Sequence, residues 1–404
     1  MNKLIIIFRN HFTKKEFEKL NIDSYIKKNI IIEVWVMNKL LKDKVIFSSM
    51  KNKKKFKIQN IKNINDLEKK IISQQKDNII YQVHLKFELK NIDIFKLITK
   101  YNCTYLISPG LSINNKKKIS TKISKLLSFD SIYLSKVIFN KINNIINRII
   151  FKIKINLFDF KKADFFYCKA KRYFEDNKND FLISKKTKII WGHQKDYEFF
   201  FKNRKIIKKN KDLKKKILFI DQNVPYHSDL ITMNVADINP KNYYNSINNF
   251  LKKLSDNLKI DVHICCHPRS NLKIIKKFFP KISLSIGDTE KQIKNAKCLI
   301  VHDSTAINFG VLYLKPIIFI YNEALNQSNW AHVSGIKNVA LRLRKKFYNI
   351  DTNEKLIFKN FNEEIKVNNH NYWIYKKNYI KYKGTNKNSA EEIIDKLKLN
   401  KIWN

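Results

Sequence analysis

The chain alternates short apolar runs with amphipathic stretches, and in its second half each apolar run ends abruptly in polar residues. Ile260 to Cys266, Cys298 to His302 and Ile317 to Tyr321 are too short for helices and too continuous for half-exposed strands, so they predict strands buried on both faces of a parallel sheet. Helical pattern lies between them. The first run leads into His267-Pro268-Arg269, the second into His302-Asp303-Ser304-Thr305 and the third into Asn322-Glu323. In an open parallel sheet the carboxyl ends of the strands share one edge, and ligands bind in the crevice there. The pattern therefore predicts one site.

The first half shows the same alternation. Leu4 to Phe8, Ile30 to Val36, Ile79 to Val83 and Thr104 to Ile107 are strand-like, with helical pattern over Asp66 to Gln75 and Ile92 to Lys100. Thr187 to Ile190 and Ile217 to Ile220 add two more strands. Polar, Lys-rich stretches at Asn114 to Lys125 and Lys202 to Lys216 separate blocks, and the second places the boundary, since an apolar strand follows it at once. The organisation predicted is an α/β protein with one Rossmann-like domain over 1–205, a second over 206–380 and a closing segment over 381–404. In that segment Ser389 to Leu399 reads as a helix, with Ser389 as its cap and Glu391 and Glu392 in its first turn.

Composition sharpens the choice of partner. The 404 residues suffice for two or three domains of roughly 100–200 residues, and 44% apolar content excludes wholesale disorder. The formal charge is +46, from 81 Lys+Arg against 35 Asp+Glu. Only seven of the basic residues are Arg. Part of the Lys, Ile and Asn excess matches the codon bias of an AT-rich genome, and the rest predicts attraction to anionic partners. Lys spread along the whole chain, without Arg and aromatics gathered on one face, argues against a nucleic-acid reader. Five cysteines, an odd number, with three inside apolar runs, predict reduced thiols and a cytoplasmic setting. The apolar run at the amino terminus is too short for a signal sequence. Ile142 to Phe158, interrupted by Arg148, Lys152 and Lys154, cannot span a bilayer; it is read as a domain-linking helix with a solvated basic face, against the alternative of a membrane-surface segment.

Five of six prolines and five of six glycines lie after residue 190, where tight turns and close backbone approach are needed. Pro268 fixes the turn after His267 and would aim the imidazole into the crevice; Arg269 adds a fork suited to phosphate. Asp303, Ser304 and Thr305 sit where a strand gives way to a helix, a place for either N-capping or phosphate binding. Asp221, ending another strand, reaches the same edge as a ligand-orienting carboxylate, a base or a turn residue. His263, Cys265, Cys266 and His267 invite a zinc reading, but ligands crowded on one strand favour buried thiols instead. Trp191-Gly192-His193 and Asp196-Tyr197 either line the ligand crevice or pack near the boundary. Gly310 is read as allowing a helix to approach the sheet.

The His-Pro pair after one strand and the Ser/Thr pair opening a helix some tens of residues later resemble bacterial sialyltransferases and related capsule glycosyltransferases of the GT-B fold. The run from HPRSN through HDSTAINFGVLYLKPIIFI also resembles surface-carbohydrate biosynthesis proteins. The match covers about a quarter of the chain, and teichoic-acid polymerases using CDP-polyols and UDP-sugar 2-epimerases share similar strand ends. The resemblance implies two Rossmann-like domains with a cleft between them, and transfer of a CMP-activated sugar, a nonulosonic acid or Kdo, onto a surface glycan such as capsule or lipopolysaccharide. It implies that His267-Pro268 and Ser304-Thr305 hold the donor phosphate; from their places at the same strand ends, Arg269, His302 and Asp303 are read as further phosphate-binding residues and Asp221 as a catalytic candidate. No metal and no cofactor beyond the nucleotide-sugar donor are implied, the acceptor is a glycan or lipid-linked glycan, and the inner face of an anionic membrane is a peripheral partner. The family's acidic pair before Gly in the amino-terminal domain is absent; Ser108-Pro109-Gly110 stands in its place without a carboxylate, which leaves the general base unidentified. A CDP-polyol phosphotransferase or UDP-sugar enzyme is the rival within enzymes. The rival outside them is a basic nucleic-acid- or membrane-binding protein.

Overall fold

The structure is a computed structural model that describes residues 2–9, 12–41, 54–74, 78–108, 146, 149–204, 216–227, 238–328 and 332–403. Asn114 to Lys125, most of the Lys202 to Lys216 stretch, and Pro109-Gly110 lie outside the described residues. The chain forms two compact units, one of residues 1–193 with 383–404 and one of residues 194–382.

The first unit is built on seven parallel strands, β1 (Lys3–Phe8), β2 (Ile31–Val36), β3 (Phe56–Asn60), β4 (Ile79–Val83), β5 (Tyr105–Ile107), β6 (Phe165–Cys168) and β7 (Lys188–Trp191), in the order β3-β2-β1-β4-β5-β6-β7. Side chains on a strand alternate between faces, so a strand covered on both sides favours apolar residues at successive positions. β1 obeys this: Ile5 and Ile7 enter one core cluster, Leu4 and Ile6 the other. The closing helix Ser389–Leu399 covers the second face with Ala390, Ile393, Ile394 and Leu397. Its cap is Asn388 and not Ser389: the Asn388 side chain accepts from the amides of Ala390 and Glu391, and the Glu391 carboxylate accepts from the Asn388 amide, a reciprocal box. Ser389 instead accepts from the Asn21 side chain at 3.0 Å.

The second unit carries six parallel strands, β8 (Ile217–Ile220), β9 (Val262–Cys266), β10 (Ser283–Ile286), β11 (Cys298–Val301), β12 (Ile317–Tyr321) and β13 (Phe347–Asn349), in the order β10-β9-β8-β11-β12-β13. The chain thus runs outward from β8 to one side, then returns to β11 and runs outward to the other. This is the Rossmann order, and it meets the expectation of two Rossmann-like α/β domains with parallel sheets. The helix Pro240–Leu258, with proline in its first turn and the Asn239 side chain capping it, buries Tyr243, Tyr244, Ile247, Phe250, Leu251 and Leu254. Gly310 holds the helix Ile307–Leu312 against β11 and β12, where a Cβ would meet Leu299 Cδ1 at 2.7 Å and Ile317 Cδ1 at 3.0 Å.

Of the expected basic helix over Ile142 to Phe158, residues 142–145, 147 and 148, Arg148 among them, lie outside the described residues; residues 149–156 are helical, and beside the exposed Lys152 the exposed positions include the apolar Ile149, Ile150 and Ile153, with Leu157 just beyond the helix. The zinc reading also finds no support. His263 has both ring nitrogens on serine hydroxyls, Ser283 at 2.7 Å and Ser285 at 2.8 Å, and burial pushes the Cys266 thiol up to about 12.

Candidate active site

The edge formed by the carboxyl ends of β9, β8 and β11 gathers the predicted residues of the second unit. β8 and β11 are the strands between which the order reverses, the place where this sheet type opens a crevice. Asp221 follows β8 directly. Its amide donates to the Cys265 carbonyl at 3.0 Å, and its Oδ1 accepts from the Asn223 amide at 3.0 Å, which closes a tight turn with Asn223 at φ 53°. Its Oδ2 is buried and has no partner. Burial, opposed by the bonds from the Asn223 and Gln222 amides, pushes this carboxyl up to about 7.

His267 follows β9. Its Nδ1 accepts from the Arg269 amide at 3.2 Å and its carbonyl accepts from the Ser270 amide at 2.8 Å, so the turn itself fixes a neutral imidazole with its proton on Nε2. The His227 ring lies 5.3 Å away, centroid to centroid. Pro268 and Arg269 are exposed, while Ser270 Oγ is buried without a partner. Among the described residues of the second unit, the buried side-chain atoms lacking a hydrogen bond are Asp221 Oδ2 and Ser270 Oγ, both at this edge.

After β11 the predicted cluster divides. His302 is 1% exposed; its Nδ1 donates to the Ile320 carbonyl at 2.7 Å, so its Nε2 accepts from the Tyr243 hydroxyl at 3.0 Å. Burial holds it down at about 4. Both nitrogens are engaged, and His302 is an internal brace between β11, β12 and the long helix, not a phosphate ligand as expected. Asp303 does face the edge. Burial raises its carboxyl, and a hydrogen bond from the Gln222 side chain opposes that rise and ties the end of β8 to the end of β11. Gly335 lies against it, since a Cβ there would meet Asp303 Oδ2 at 2.5 Å. Ser304 Oγ accepts from the Ala306 amide at 3.2 Å, which makes an ST turn before the helix; Thr305 is exposed. Asn322 caps the helix Glu323–Gln327 through the Leu325 amide, a structural role.

The first unit has its own edge residue, which the sequence reading missed. His84 follows β4, and β4 pairs with β1 where that sheet's order reverses. Its Nε2 is buried without a partner. The ring's hydrogen bond to the Ser108 backbone therefore runs through Nδ1, and because it raises proton affinity it is donated to the carbonyl. Burial first, then the charges of Lys169 and Lys19, hold the ring down at about 3. It is a neutral imidazole with an enclosed Nε2 lone pair. The Trp191-Gly192-His193 run packs instead: His193 Nε2 donates to the Lys387 carbonyl at 2.8 Å, and a Cβ on Gly192 would collide with the Tyr167 ring and hydroxyl.

No family model matches the chain, and no curated protein matches its sequence. By structure it is similar to MurG of Acinetobacter baumannii, at 10% identity and a TM-score of 0.47 over 99% of this chain and 100% of that one. It is also similar to the UDP-GlcNAc 2-epimerase of Methanocaldococcus jannaschii, at 13% identity and a TM-score of 0.48 over 98% and 99% of the two chains. The wall teichoic acid polymerase TagF is similar at 12% identity and a TM-score of 0.48, over 99% of this chain and 89% of that one.

The buried carboxyl gives a pH signature. With its folded value near 7, above an unfolded value of about 3.9, Asp221 contributes stability that is full below about pH 4 and lost as pH rises through about 7. His302 acts in the opposite sense, but it is common to wild type and variant and cancels in their difference. Asp221→Asn should therefore gain stability relative to wild type between pH 4 and pH 8 in denaturant titrations; parallel curves would show that the carboxyl is not desolvated.

Proposed function

We propose that the chain is a glycosyltransferase whose second unit binds a CMP-linked donor, a nonulosonic acid or Kdo, and passes its sugar to a surface glycan. The observation that carries this reading is the pair of orphaned buried oxygens, Asp221 Oδ2 and Ser270 Oγ, at the reversal point of a Rossmann-order sheet. Buried polar groups are rarely left unpaired unless a ligand completes them. A carboxyl that holds its proton near neutrality can donate to a phosphate oxygen without adding negative charge. His267 Nε2–H and the Ser270 hydroxyl supply two further donors, and Arg269 a cation, for the charge that builds on the departing phosphate. Ser304 keeps its turn and leaves Thr305 as the hydroxyl available to that phosphate.

The first unit is read separately: its His84, with Nδ1–H held by the Ser108 backbone and an enclosed Nε2 lone pair, accepts a hydrogen bond from a hydroxyl of the glycan acceptor. The general base stays unassigned.

CMP and CDP should raise the melting temperature, by the equivalent of about 2.7 kcal/mol at a hundred times the dissociation constant. A response to UDP compounds alone would point to the UDP-sugar reading, and one to RNA alone to a nucleic-acid protein. His267→Ala should cut turnover by about 10²–10³ with folding intact, since a transition-state donor is lost. An early-melting variant with full activity per folded molecule would make His267 a turn residue only.

For the acceptor side, His84→Gln should leave the CMP-induced melting shift unchanged and weaken glycan binding by about 2–10-fold, the worth of one hydrogen bond. Glycan binding at wild-type strength would remove His84 from acceptor recognition while leaving the donor reading in place.

A further inference from the structure

The helix over residues 149–156 is apolar on two sides. Its inner side is anchored in the first unit's core, with the Phe151 ring 5.2 Å from Phe87, and just beyond the helix Phe158 lies 4.7 Å from Phe160. The opposite side carries Ile149 at 53%, Ile150 at 38% and Ile153 at 53% exposure, continued by Ile146 at 46% and Leu157 at 79%. Spacings of three and four residues put these positions on one face. Single exposed apolar residues are ordinary, and the other large ones among the described residues are scattered along the sequence. A row of five is not ordinary; it marks a surface built to be covered. Lys152 and Lys154 lie on the same helix, and no acidic residue occurs from 146 to 158.

We propose that this stripe docks the protein on an anionic membrane. The helix lies in the plane of the interface, with Ile149, Ile150, Ile153 and Leu157 inserted below the headgroups and Lys152 and Lys154 among the lipid phosphates. Charge selects this occupant. At a formal charge of +46, a second copy of the chain would approach against strong repulsion, whereas an anionic bilayer attracts the same charge. Length excludes crossing: eight helical residues extend about 12 Å, against a hydrocarbon core of about 30 Å. Among the described residues no helix is long and apolar enough to cross a membrane. The inference stands apart from the donor reading, which concerns the other unit.

The test is sedimentation of the full chain with vesicles of phosphatidylcholine alone and of phosphatidylcholine with about one-third phosphatidylglycerol, alongside the variant Ile149→Gln/Ile153→Gln/Leu157→Gln. Wild type should favour the anionic vesicles by about tenfold or more, and the variant should lose about tenfold or more of that binding at an unchanged melting temperature. Should the triple variant melt early, Leu157→Gln alone, at the most exposed position, should lower binding in the same direction. Equal binding by wild type and variant would assign any attraction to net charge and overturn the proposal. So would a wild type that ignores anionic vesicles, or a wild-type dimer that the variant splits, which would make a second copy the occupant.

Discussion

A strand paired on both sides in a parallel sheet and covered on both faces favours apolar side chains along its length and gathers most polar ones at its ends, with Glu33 in β2 and Gln82 in β4 as buried exceptions. β8 shows the constraint in full: Ile217, Leu218, Phe219 and Ile220 are all buried, with β9 on one side and β11 on the other, and Asp221 is the first residue past the ladder. The same rule delivers His267 after β9, Asp303 after β11 and His84 after β4. Because the strands are parallel, these ends collect on one edge of each sheet, and the reversal of strand order opens that edge where the chemistry gathers. The candidate site is thus a consequence of how the core excludes polarity.

The constraint places residues without deciding what they do. His267 and His302 both follow strands of one sheet, yet their fates differ with the partners on their ring nitrogens. The His302 ring is held between a carbonyl and a tyrosine hydroxyl and works as a buried strut. His267 accepts its own turn's Arg269 amide at Nδ1, which makes Nε2 the protonated nitrogen of the ring. Asp221 and Asp303 are both raised by burial, and the Tyr243 phenol is held in its neutral form by its own burial first and then by the charges of these two carboxylates. An edge with two desolvated carboxyls in a chain of high positive charge is prepared for proton donation as much as for charge pairing.

The central strands were legible because burial on both faces writes a largely apolar run, interrupted only by single polar residues such as Glu33 in β2 and Gln82 in β4. β3, β10 and β13 were not, since each lies at a sheet edge with one neighbour, and sequences such as Ser283–Ile286 carry polar residues that a central strand would exclude. β6 was missed for another reason: its Phe165–Cys168 run is only four residues long and sits just after a basic, aromatic stretch. The site was legible as strand ends in the second unit. His302 could not be told from a ligand, because only the neighbours of its two nitrogens distinguish a brace from a donor. His84 left a fainter signal, a lone histidine after a strand without a second polar group beside it, and its significance depends on a hydrogen bond to Ser108 that spacing does not reveal. The Asn388 cap differs from the expected Ser389 by one position, a difference settled only by which side chain reaches the first free amides.

The central claim is that a nucleotide completes the carboxyl edge of the second unit's sheet, at the ends of β8, β9 and β11. Amide hydrogen exchange on the full chain, with and without CMP, tests this most directly. The account predicts slowed exchange at Asn223, Arg269, Ser270 and Ala306, the amides of the turns that follow those three strands, with little change at the opposite edge of the same sheet. Protection confined to the opposite edge around Lys259 and Lys315, or none at these turns under saturating nucleotide, would contradict it.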